Sequence, residues 1–148
     1  MHTTWIVAAD GSRARIFEML DTDKSLQEIE DLANPTGHAH KRDLSPDSDG
    51  RFYGKGERHQ AHTVPSRGDV HEHELELFSR TIGDFLDKAC NEHRYDSLCL
   101  IAGPKFLGML RANLGKETQK LVEEELPKDV TRFDADDIRA LIEPLSRH

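Results

Sequence analysis

The stretch TWIVAADGSRARIFEML, residues 4–20, constrains the fold more than any other part of the chain. Two runs of β-forming residues, Thr4 to Ala9 and Arg13 to Met19, flank Asp10-Gly11, and Asp-Gly between such runs is a strong hairpin signal. The first run is nearly all apolar, as a strand buried on both faces must be. The second alternates, with Ala14, Ile16 and Glu18 on one face and Arg15, Phe17 and Met19 on the other. A sheet is therefore expected whose interior strand has an antiparallel neighbour and layers packed above and below it.

The next apolar residues extend the same sheet. LQEIEDL fits a helical period through Leu26, Ile29 and Leu32, but a meander makes it a third strand. No periodic element is evident from Asn34 to Gly68. Asp69 with Glu72 then reads as a capping box opening a long helix, in which Leu75, Phe78, Ile82, Phe85, Leu86 and Ala89 recur at helical spacing. Ser97 to Ala102 reads as a buried strand and Gly103-Pro104 as a turn into a short helix that Gly115 stops. TQKLVEEEL reads as a further strand, followed by a turn through 127–129 and an acidic-capped helix over 134–145 with Ile138, Leu141 and Ile142 inward. The order β-β-β-loop-α-β-α-β-α predicts an α/β fold, a mixed sheet flanked by helices.

At 148 residues and 36% hydrophobic composition, one domain over 1–148 with one core is expected. No leader pattern and no apolar run near the roughly 20 residues of a membrane span occur, so a cytoplasmic protein without membrane contact is expected. Cys90 and Cys99 lack paired spacing and read as reduced thiols. The net charge of −8 argues against a protein that coats nucleic acid non-specifically. Its distribution is uneven: residues 38–70 carry six basic and five acidic groups, a balance of +1 that leaves −9 for the rest. The aperiodic stretch 34–68 is thus a long, comparatively basic loop, and a loop of that length inside a compact domain is generally either functional or disordered.

Three stretches, WIVAADGSRARIFE, AGPKFLGMLRANL and VEEELPKDVTRFDADDIRALIE, together resemble the bacterial host attachment protein family, proteins required for attachment to host cells. That family is in turn similar to the middle, peptidyl-tRNA-hydrolysing domain of archaeal and eukaryotic class I peptide-chain release factors, which implies a ribonuclease-H-like α/β fold. Release factors carry a Gly-Gly-Gln tripeptide in the loop before the long helix. This sequence has none; GKGERHQ disperses Gly54, Gly56 and Gln60, and His59, Gln60 and His62 are the residues the resemblance puts in the place of a working loop. The resemblance implies a fold and a loop position without release-factor catalysis. If the chain is an enzyme, a hydrolase of peptidyl-tRNA or of a phosphate ester is the class implied.

Several small constellations carry chemistry. The strand-turn-helix at Gly103 presents free N–H groups, and Lys105 and Arg111 add charge, which suits a phosphate or carboxylate. The same residues also serve as an ordinary turn and helix face. Asp10 flanks the hairpin turn, where a turn-making role is the simplest, and a second carboxylate such as Asp129 at the same sheet end would be needed for a metal-dependent nuclease. Histidines pair at 38 and 40, 59 and 62, and 71 and 73, without four-ligand spacing or a nearby cysteine, so neither a metal nor a cofactor is expected. Arg-Gly-Asp at 67–69 is better explained by Asp69 as a helix cap, and no serine or cysteine sits in a nucleophile elbow.

The reading that best uses the charge distribution is an RNA-binding module. Arg51, Lys55, Arg58 and Arg67 meet phosphates, Tyr53, Phe52 or a histidine stacks on a base, and the acidic body confines binding to the loop. The expected partner is the ribosome or tRNA, with a protein partner as the alternative.

Overall fold

The computed structural model describes residues 2–35 and 67–142. Strands β1 (Thr3–Ala9), β2 (Arg13–Leu20) and β3 (Asp23–Ala33) come first, then helix α1 (Arg67–Asn91), strand β4 (Ser97–Ala102), helices α2 (Pro104–Ala112) and α3 (Lys116–Leu121), strand β5 (Val122–Leu126) and helix α4 (Ala135–Ile142). The five strands form one sheet in the order β3-β2-β1-β4-β5. β1, β2 and β3 are antiparallel in succession, while β4 is parallel to β1 and β5 to β4. This is the mixed, helix-flanked sheet expected. The candidate loop residues Arg51, Tyr53, Lys55, Arg58, His59, Gln60 and His62 lie outside the described residues, and Arg67 opens α1.

The apolar first run explains the layering. Because side chains alternate across a strand, Trp5, Val7 and Ala9 of β1 join Leu98, Leu100 and Ala102 of β4 in one core, whereas Ile6 and Ala8 join Cys99 and Ile101 in another. The first core is closed by Phe78, Ile82 and Leu86 of α1 and by Phe106, Leu107 and Leu110 of α2. The second is closed by Val130, Ile138 and Ile142. Fully buried side chains such as Trp5, Phe17, Ile101 and Ile138 each contribute roughly 1.5–3 kcal/mol by leaving water. Trp5 also stacks with Phe85, at 6.2 Å between ring centroids, and lies 4.9 Å beneath the Arg94 guanidinium.

Three local expectations are corrected. α1 begins at Arg67, so Asp69 lies within its first turn instead of capping it, and Glu72 pairs with Lys105 at 3.3 Å. Gly115 does not stop α2 in a left-handed conformation; its backbone is extended (φ −69°, ψ 166°) and it precedes α3. Residues 116–121, read in part as strand, are helical because the Asp87 carboxylate of α1 accepts the Gly115 N–H at 3.0 Å and the Thr118 hydroxyl at 2.5 Å, capping a helix start from 28 residues away. The strand of TQKLVEEEL is confined to β5. At its far end α1 is closed by His93, whose positive φ of 57° lets the Arg94 N–H reach the Ala89 carbonyl at 3.0 Å. Among the described residues, no helix is long and apolar enough to cross a membrane.

Candidate functional site

The carboxyl ends of β1, β4 and β5 share one edge of the sheet, as the parallel registers Ala9↔Ala102 and Ile101↔Leu126 require. In open α/β sheets this is the edge where ligands bind. Among the described residues, α2 begins there directly after β4, α4 follows the connection from β5, and α1 passes there with Leu75 against Gly11. The positive dipole ends of α2 and α4 therefore lie on this side of the sheet.

Asp10 organises that rim. Its Oδ1 accepts the Ser12 and Arg13 N–H groups at 2.7 and 2.9 Å, the turn-making role expected of it. Its Oδ2 lies 2.9 Å from the Thr131 hydroxyl, which is also 3.0 Å from Oδ1 of Asp129. One hydroxyl proton thus serves two carboxylates from opposite ends of the chain. The convergence of Asp10 and Asp129 takes place through Thr131, and among the described residues no group of three or more histidine, cysteine or acidic side chains is arranged to hold a metal. Sequence reasoning missed Thr131, although Asp129-x-Thr131 is a pattern in which an aspartate accepts the N–H two residues on, here at 3.3 Å.

Asn34 and Arg15 complete the rim. Asn34, buried, donates its backbone N–H to the Ser12 carbonyl at 2.8 Å and its side-chain amide to the Gly11 carbonyl at 2.9 Å. Arg15, with a side chain only 12% exposed, grips Glu28 with two hydrogen bonds of 3.0 Å and donates to the carbonyls of Thr131 at 2.9 Å and Phe133 at 2.5 Å. Those hydrogen bonds to Glu28 hold its carboxyl below its usual range, against a smaller opposing effect of burial. Asn34 is thus fixed on the hairpin turn, and α1 passes the same rim at Glu72 and Leu75.

The strand-turn-helix candidate is partly assembled. Gly103 precedes α2 with Pro104 at its first position, and the Gly103 carbonyl accepts the Leu107 N–H at 2.8 Å. Lys105 lies beside that turn, with Glu72 as its ion partner. Arg111 stands in the last turn of the nine-residue helix, away from Gly103, and makes a bidentate pair with Glu125 of β5 at 2.8 and 3.0 Å, which raises its pKa. Both cations are thus engaged by glutamates. His71 and His73 are exposed near the start of α1.

A family model described as "Protein required for attachment to host cells" matches residues 5–142. The chain belongs to that family. A search among curated proteins finds no match. Among solved structures, this family member is similar to an archaeal protein (9% identity, TM-score 0.45, covering 99% of this chain and 40% of that one). It is also similar to an archaeal translation termination factor, aRF1 (7% identity, TM-score 0.45, 98% and 39%), and to the Aquifex aeolicus Ppx/GppA phosphatase (13% identity, TM-score 0.42, 89% and 38%). The chain spans about two fifths of the length of each of these proteins.

Proposed function

We propose that this attachment-family protein is a non-catalytic RNA-binding module that takes hold of ribosomal RNA or tRNA through residues 36–66 and the rim they spring from. What supports the reading is the relatively basic charge of this segment in an otherwise acidic chain, together with its attachment: it follows Asn34, held at the hairpin turn beside the carboxyl edge of the parallel strands, and precedes α1, whose Leu75 lies against the same turn. Arg51, Lys55, Arg58 and Arg67 supply phosphate contacts, and Phe52 and Tyr53 supply stacking surfaces. The acidic body repels the rest of the polyanion and restricts contact to this side. Occupation of Lys105 and Arg111 by glutamates supports giving the phosphate role to the segment.

The test is RNA binding across a salt series by the full chain and by a variant with Arg51, Lys55, Arg58 and Arg67 all changed to Gln. Loss of these contacts should weaken binding and lower the slope of log K against log salt by about three, each phosphate contributing roughly 0.7–0.9. An unchanged slope with unchanged affinity contradicts the reading.

A further inference from the structure

We draw no further inference here: the strongest candidate, the side-chain cluster of Asp10, Asp129 and Thr131 at the carboxyl edge of the parallel strands, belongs to the site already described, and among the described residues no second observation points to a ligand there.

Discussion

The Thr131 hydroxyl lies 2.9 Å from Oδ2 of Asp10, joining the turn after β1 to the connection after β5 across 121 positions of sequence. Asp10 thereby ties the hairpin turn to the segment bearing Phe133. Thr131→Val keeps the side-chain shape but removes the donor shared by two carboxylates. It should cost about 1–2 kcal/mol in urea unfolding at neutral pH. An unchanged unfolding midpoint and slope would show that the fastening contributes nothing to stability.

The Arg15–Glu28 pair sets an acid-sensitive component of stability. The folded-state pKa of Glu28 lies below its ordinary 4.5, so the ionised carboxylate stabilises the fold above that value. This contribution disappears as pH falls through the lower, folded pKa. The stability gap between wild type and Glu28→Gln should be full at pH 7 and should close below about pH 4, as measured by urea unfolding at a series of pH values. A gap that is constant across that range contradicts the assignment.

Two glycines of helical segments have opposite roles. A side chain at Gly83 in α1 would collide with the Asn113 carbonyl oxygen, whereas one at Gly108 in α2 meets nothing within 4 Å. Gly83→Ala should destabilise by roughly 1–3 kcal/mol through overpacking. Gly108→Ala should stabilise by about 0.5–1 kcal/mol through helix propensity. Thermal melting of the two variants checks the contrast.

Cys99 is buried under the second core layer, and burial, aided by Glu124 and Glu123, pushes its thiol up to about 12. A thiol reagent at pH 8 should modify the half-buried Cys90 first and reach Cys99 only on global unfolding. Labelling of Cys90→Ser protein under native conditions measures this, and rapid modification would place Cys99 at a more open site than the structure does.

The physical origin of each element decides how far it could be read in the sequence. β1 and β4 declare themselves because a strand buried on both faces must be apolar throughout, and Asp10-Gly11 announces the hairpin. β3 is less evident, since Leu26, Ile29 and Leu32 also fit a helix, and its pairing with β2 shifts register twice. α3 is hidden because the carboxylate that starts it, Asp87, belongs to α1, and no local pattern reveals a cap supplied through space. The site divides in the same way. Asp10 is visible as a turn former, but the sequence does not show that Thr131 would reach it, that Arg15 would hold two carbonyls beyond β5, or that Glu72 and Glu125 would take up Lys105 and Arg111. The first group follows from periodicity and turn chemistry; the second depends on contacts that exist only after the sheet has formed.

The most direct test of RNA recognition is sedimentation of the purified protein with ribosomes through a sucrose gradient at low and moderate salt, beside a version with residues 50–66 replaced by a Gly-Ser linker. Recognition through this segment predicts co-sedimentation that weakens with salt and is lost on replacement. Absence of co-sedimentation at both salt concentrations, or binding indifferent to the replacement, would contradict it.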